Sequence, residues 1–118
     1  MLIIDDDSDV RAFLADSLEG LGYSVVEAED GEAGLKELAI STPNLILIDY
    51  AMPGMNGAEV GRAARKQIAD VPIIFVTGYA ESEQLEAALG PDVAVLRKPF
   101  SVDQLAAAVE QQIAAKKA

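Results

Sequence analysis

The amino-acid sequence predicts an α/β protein in which one five-stranded parallel sheet is covered by helices on both faces. Five short apolar runs rich in β-branched residues alternate with stretches whose apolar residues recur at helical spacing. The runs at 45–48 and 73–76 have no polar position, as strands buried on both faces require. Right-handed crossovers between such units give a doubly wound (βα)5 arrangement. A length of 118 residues fits a single domain over residues 1–118.

The first predicted strand is Met1–Ile4, and an amphipathic helix follows it. Ser8 is the predicted N-cap because its hydroxyl can accept a hydrogen bond from an N–H group of the first turn. Apolar residues three and four positions apart form one stripe along this helix, and Gly22 is placed to end it. The stripe consists of Val10, Phe13, Leu14, Leu18 and Leu21.

The second and third predicted strands are Tyr23–Val26 and Leu45–Ile48, each followed by helical periodicity. The helix after the third strand has a predicted inward face of small and aliphatic residues. That face consists of Val60, Ala63, Ala64 and Ile68.

The fourth and fifth predicted strands are Ile73–Val76 and Val93–Leu96. Ser101 and Gln104 before and within the last helix have the spacing of a capping box, in which two side chains satisfy two N–H groups. One face of that helix carries Val102, Leu105, Val109 and Ile113.

Composition excludes several classes of function. The chain has 20 acidic and 9 basic residues, a net charge of -11, and no histidine or cysteine. It therefore lacks the residues for a thiolate or histidine zinc site and for a Ser/His/Asp or Cys/His nucleophile. An acidic surface argues against direct binding of nucleic acid. No apolar run approaches the ~20 residues of a membrane span, and we expect a cytoplasmic location.

Polar side chains follow four of the predicted strands. Asp5, Asp6 and Asp7 follow the first strand, and Asp49 follows the third. Thr77 follows the fourth strand, and the fifth runs into Arg97, Lys98 and Pro99. The carboxyl ends of parallel strands share one edge, so these groups are expected to converge there. Carboxylates in such a crevice suit Mg²⁺, and a hydroxyl and an ammonium beside them suit phosphoryl transfer, with an aspartate as nucleophile.

Four segments resemble the receiver domain of two-component response regulators, in the family's order and spacing. The resemblance extends over nearly the whole chain, and it implies the flavodoxin-like fold with strand order 2-1-3-4-5. The segments are Leu2–Arg11 (LIIDDDSDVR), Asn44–Gly57 (NLILIDYAMPGMNG), Pro72–Gly78 (PIIFVTG) and Arg97–Phe100 (RKPF).

The resemblance implies a role for each candidate residue. Asp49 would accept a phosphoryl group from a phosphohistidine of a sensor histidine kinase or a histidine phosphotransfer protein. Asp6, Asp49 and the carbonyl of Ala51 would bind Mg²⁺, and Asp5 would help through a water molecule. Thr77 would donate a hydrogen bond to the phosphoryl group and Lys98 would pair with it. The peptide before Pro99 would be cis.

The resemblance also implies a switch that passes its signal to a downstream protein partner and is not an enzyme, because its phosphorylation is stoichiometric. Two positions depart from the family pattern. Val95 stands where many receivers carry an aromatic switch residue, so coupling would run through Thr77 and helix packing. Ala51 lacks a polar side chain that could orient the hydrolytic water, which favours a long-lived aspartyl phosphate.

Other interpretations of the same residues stay open. Asp5 and Asp7 at a strand end are also similar to the Asp-x-Asp motif of haloacid-dehalogenase-type phosphohydrolases, in which Asp5 would be the nucleophile. A flavin- or nucleotide-binding protein could use the same sheet, although three aspartates would repel its phosphate. Asp7 and Asp9 are favoured as turn and cap residues rather than ligands. Arg62, Arg65 and Lys66 are favoured as a solvated helix face.

Overall fold

The computed structural model describes residues 1–50, 52, 54, 56–78, 85–87 and 93–117. Its strands form one parallel sheet in the order β2-β1-β3-β4-β5, which confirms the predicted fold. The strands are β1 (Leu2–Ile4), β2 (Val26–Ala28), β3 (Ile46–Asp49), β4 (Ile73–Thr77) and β5 (Ala94–Arg97). The helices are α1 (Ser8–Gly20), α2 (Gly31–Ile40), α3 (Gly57–Gln67) and α5 (Val102–Lys117), and residues 85–87 form a helical turn, α4.

Two apolar layers cover the sheet. Neighbouring strands align Ile3, Leu47 and Ile74 on one face, where the buried residues of α1 and α5 pack. The next residue along each strand points to the opposite face, against α2, α3 and α4. Both faces of β3 and β4 are therefore buried, which is why these strands have no polar position before Asp49 and Thr77.

The first helix differs from prediction at its start. Its N-cap is Asp7, so the assignment of that role to Ser8 was wrong. The Asp7 backbone is extended, and its carboxylate accepts hydrogen bonds from the N–H groups of Asp9 and Val10 at 2.9 and 3.3 Å. Gly22 follows the helix with φ 97°, a left-handed conformation that glycine adopts without strain.

The apolar stripe of α1 is only partly buried. Leu14 and Leu18 are in the core, whereas Phe13 and Leu21 are 41% and 43% exposed. The sheet contacts a narrower strip of the helix than the apolar residues occupy. Phe13 instead lies against Phe100, with ring centroids 5.9 Å apart.

The second strand lies later than predicted, at Val26–Ala28 instead of Tyr23–Val26. Strand pairing sets this position, because the N–H of Val26 donates to the carbonyl of Met1 and the register runs from there to Ala28. Tyr23 and Val25 still pack against the α1 and α5 layer, which explains their apolar character.

The last helix was predicted more accurately. The N–H of Gln104 donates to the Ser101 hydroxyl at 3.1 Å, and the N–H of Ser101 donates to the Gln104 side chain at 2.8 Å, which confirms the capping box. Leu105 and Val109 are fully buried, whereas Val102 at the helix start is 41% exposed. Among the described residues, no helix is long and apolar enough to span a membrane.

Candidate functional site

The predicted functional side chains lie at one edge of the sheet, where the strands end. Asp5 follows β1, Asp49 ends β3 and Thr77 ends β4. Lys98 follows β5, and its N–H donates to the carbonyl of Thr77 at 2.8 Å. This edge is where α/β sheets of this type hold their ligands.

Three carboxylates converge there. Asp5 and Asp49 are 1% and 4% exposed, and Asp6 is exposed to solvent. Each contributes one oxygen to a group in which all three oxygens lie within 4.8 Å of one another. Like charges at such distances repel, and a bound cation relieves the repulsion. An all-oxygen donor set that is open on its Asp6 side fits a hard divalent cation such as Mg²⁺.

Backbone groups hold Asp5 in place. Its N–H donates to the carbonyl of Ala28 at 3.1 Å, and its Oδ1 accepts from the N–H of Asp7 at 2.9 Å. Its Oδ2 is buried, and no described residue gives it a hydrogen bond. Burial raises the pKa of Asp5 above its ordinary value, although the Asp7 N–H and Lys98 oppose this. A buried acceptor without a donor is costly, and a bound cation or its water would satisfy this one.

Lys98 brings a positive charge to Asp49. Its Nζ lies 3.7 Å from Asp49 Oδ1, and the lysine side chain remains 38% exposed while the aspartate is buried. The lysine side chain is therefore accessible to solvent while its ammonium lies close to the buried carboxylate, so an incoming anionic group can reach this positive charge. The Lys98–Pro99 peptide is cis, as the resemblance implied.

Thr77 contributes a buried hydroxyl. The residue is completely buried, and within the described part of the chain its Oγ1 has no hydrogen-bond partner. An isolated buried hydroxyl costs about 1–3 kcal/mol. Thr77 ends β4, the strand next to β3, which ends at Asp49. The Thr77 hydroxyl is therefore available to donate a hydrogen bond to an oxygen that binds near Asp49.

The start of α3 contacts Tyr50, the residue after Asp49, a feature that the sequence reasoning missed. Asn56 and Glu59 form a capping box, and the N–H of Gly57 donates to the carbonyl of Tyr50 at 2.8 Å. A Cβ at Gly57 would stand 2.6 Å from Tyr50 Cα, so only glycine permits this approach. The sequence signal was present, since Asn, Gly and Glu in this spacing are typical of a helix start.

The remaining predicted residues do not belong to the group of three carboxylates, or they lie outside the described residues. Ala51 is among the latter. Asp7 caps α1, and Asp9 lies in its first turn. Val95 is half-buried, pairs with Phe75 in register and packs against the layer of α2, α3 and α4. The basic residues of α3 are solvent-exposed, as predicted: Arg62, Arg65 and Lys66.

Comparison with known proteins identifies the family of this chain. Residues 1–110 match the family model of the response regulator receiver domain. The chain belongs to this family. It is 35% identical over 121 residues to the response regulator receiver protein CpdR of Brucella abortus, covering 98% of this chain and 97% of that protein. It is 34% identical to the regulatory protein PhoP of Bacillus subtilis, covering 93% of this chain and 46% of PhoP.

A solved receiver domain from Clostridium thermocellum superposes with a TM-score of 0.90 at 26% identity, covering 98% of this chain and 94% of that one. This receiver domain is thus a phosphorelay signalling switch. The matches give no support to a haloacid-dehalogenase-like phosphohydrolase acting through Asp5.

Proposed function

We propose that residues 1–118 form one receiver domain in which Asp49 accepts a phosphoryl group from a phosphohistidine. The donor would be a sensor histidine kinase or a histidine phosphotransfer protein. The observation that carries the proposal is the position of Asp49, which lies within 4.8 Å of two other carboxylates and 3.7 Å from an ammonium. Such an arrangement serves little purpose in packing, and it provides a nucleophile, a cation site and a counter-charge together.

In the proposed step, an Asp49 oxygen forms a bond to phosphorus while the P–N bond to the donor imidazole breaks. The electron pair of that bond goes to the imidazole nitrogen, which takes up a proton. Mg²⁺ supplies neutralisation of charge on the transferring group. Asp6, Asp49 and the Ala51 carbonyl would hold it, with Asp5 acting through water. Thr77 and Lys98 would donate hydrogen bonds to phosphoryl oxygens.

Phosphorylation then shifts the populations of two conformations, and a downstream protein partner reads the change. The chemistry is stoichiometric with the chain, and we propose no turnover of an external substrate. Because Val95 is aliphatic, the shift would run through Thr77 and helix packing rather than an aromatic rotamer. We place this switch in the cytoplasm, and we expect the aspartyl phosphate to be long-lived because Ala51 cannot orient water.

Incubation with acetyl phosphate and Mg²⁺, followed by intact-protein mass spectrometry, tests the proposal. The wild type should gain one phosphoryl group, and Asp49→Asn should gain none. Asp16→Asn, an exposed change on α1, serves as the matched control and should be labelled like the wild type. Sustained hydrolysis of acetyl phosphate that survives Asp49→Asn and is lost in Asp5→Asn would overturn the proposal in favour of the phosphohydrolase.

A further inference from the structure

The Arg11 side chain links three elements behind the carboxylates. Its Nη1 donates to the main-chain carbonyl of Asp5 at 2.8 Å, and its Nε lies 3.3 Å from Glu27 Oε1 on β2. Its side chain is 19% exposed, whereas that of Glu27 is 45% exposed. The guanidinium of a residue on α1 is therefore held between the end of β1 and the middle of β2.

The α1 helix itself gives no reason for an arginine at position 11. Arg11 is the fourth residue of α1, and a cation near the start of a helix lies at the unfavourable end of its dipole. Holding a long side chain in one conformation also costs entropy. The compensating interactions are with Asp5 and Glu27, so the residue serves the contact between elements.

The group that Arg11 holds is the carbonyl at which the chain leaves the sheet. The pairing of β1 with β2 and β3 ends at Ile4, and the N–H of Asp5 still reaches Ala28. The Asp5 carbonyl lies in the same rigid peptide plane as the N–H of Asp6. Fixing that carbonyl therefore fixes the direction in which the chain continues to Asp6.

We propose that Arg11 is a positioning residue for cation binding, which it supports by orienting the Asp5–Asp6 peptide. Together with the hydrogen bond from the Asp7 N–H to Asp5 Oδ1, it sets the relative placement of the Asp5 and Asp6 carboxylates. Hydrogen bonds of this kind behind metal ligands contribute strongly to metal affinity. The inference rests on the proposed function, because it assumes that Asp5, Asp6 and Asp49 bind a cation.

The charge of Arg11 by itself would affect cation affinity in the opposite direction. Arg11 is a positive charge near the carboxylates, so its removal should strengthen the binding of a cation if charge were its only contribution. A positioning role predicts weaker binding instead. A merely structural role predicts a lower melting temperature with unchanged affinity for the cation in the folded protein.

Calorimetric titration of the full chain with MgCl₂, well below the melting temperature, separates these cases. Arg11→Ala should bind Mg²⁺ about tenfold more weakly than the wild type. Lys36→Ala removes one exposed positive charge from α2 and should bind like the wild type.

Affinity in Arg11→Ala equal to or above that of the wild type would overturn the inference. If Arg11→Ala does not fold, Arg11→Lys carries the test, because one ammonium cannot reproduce both contacts of the guanidinium. Weaker binding by Arg11→Lys supports the inference, and binding equal to the wild type overturns it. Absence of Mg²⁺ binding by the wild type would overturn both the proposed cation site and this inference. Mg²⁺ binding by the wild type with equal affinity in the Arg11 variant would overturn the inference alone.

Discussion

Replacement of Thr77 by valine should stabilise the resting protein and impair its phosphorylation. The Thr77 side chain is fully buried, and its hydroxyl has no hydrogen-bond partner among the described residues. Valine keeps the β-branched shape that suits the end of β4 and removes the unsatisfied hydroxyl. The penalty for such a group is about 1–3 kcal/mol, so we expect a gain of about 1 kcal/mol after imperfect repacking.

The gain converts to a measurable shift in melting temperature. An unfolding entropy of about 2.1 cal/mol/K per residue over 118 residues gives about 0.25 kcal/mol/K, so 1 kcal/mol corresponds to about 4 °C. Circular dichroism melts in EDTA measure it. Thr42→Val, at an exposed position, is the matched control and should change stability by less than about 0.5 kcal/mol.

The same variant should react more slowly with acetyl phosphate and Mg²⁺. A hydrogen bond to a charged oxygen contributes about 1.5–3 kcal/mol, and about 1.4 kcal/mol is tenfold in rate. We therefore expect labelling at least about tenfold slower, measured by intact mass against time. A Thr77→Val protein that is less stable than the wild type would contradict the unsatisfied state of the hydroxyl, and labelling at the wild-type rate would contradict its hydrogen bond to the phosphoryl group.

Two further predictions concern Asp5 and Gly57, which lie beside the proposed phosphorylation site. Burial raises the pKa of Asp5 in the folded state. Between the ordinary pKa and the raised pKa, the folded state therefore binds more protons than the unfolded state, and the free energy of unfolding falls as pH rises. Asp5→Asn should remove this dependence of stability on pH and should also remove most of the stabilisation by Mg²⁺. Urea unfolding at several pH values, with and without Mg²⁺, measures both effects, and an unchanged dependence on pH would contradict the prediction. Gly57→Ala should cost about 1–3 kcal/mol because its Cβ would meet Tyr50 Cα. Gly20→Ala, where a Cβ meets nothing within 4 Å, should be neutral or stabilising, and equal melting temperatures for these two variants would count against the packing argument.

The parts of the fold predicted from sequence are those that local patterns determine. The unbroken apolar runs of β3 and β4 are required by burial on both faces, and Asp49 and Thr77 mark where the runs end. The second strand was misplaced because Tyr23 and Val25 are as apolar as a strand, while the choice of Val26–Ala28 depends on pairing with β1. No local pattern in the sequence carries that information.

Some features of the site could likewise be predicted from the sequence and others could not. The grouping of Asp5, Asp6 and Asp49 follows from parallel strands that end at one edge, so it was predictable. The cap of α1 was predictable only in part. The sequence favoured Asp7 as a turn or cap residue but gave the N-cap position to Ser8. Both residue types are good N-caps, and the extended backbone at Asp7 decides between them. The contact of Arg11 with Asp5 and Glu27 joins three elements and has no sequence periodicity.

Chemical mapping of the phosphorylated residue tests the central proposal, that Asp49 is the phosphoacceptor, most directly. The protein is incubated with acetyl phosphate and Mg²⁺ and then reduced with borohydride, which converts an aspartyl phosphate into homoserine. Peptide mass spectrometry then locates the converted residue. We expect homoserine at position 49 and at neither Asp5 nor Asp6. Conversion at Asp5 or Asp6, or unmodified Asp49 in a phosphorylated protein, would contradict it.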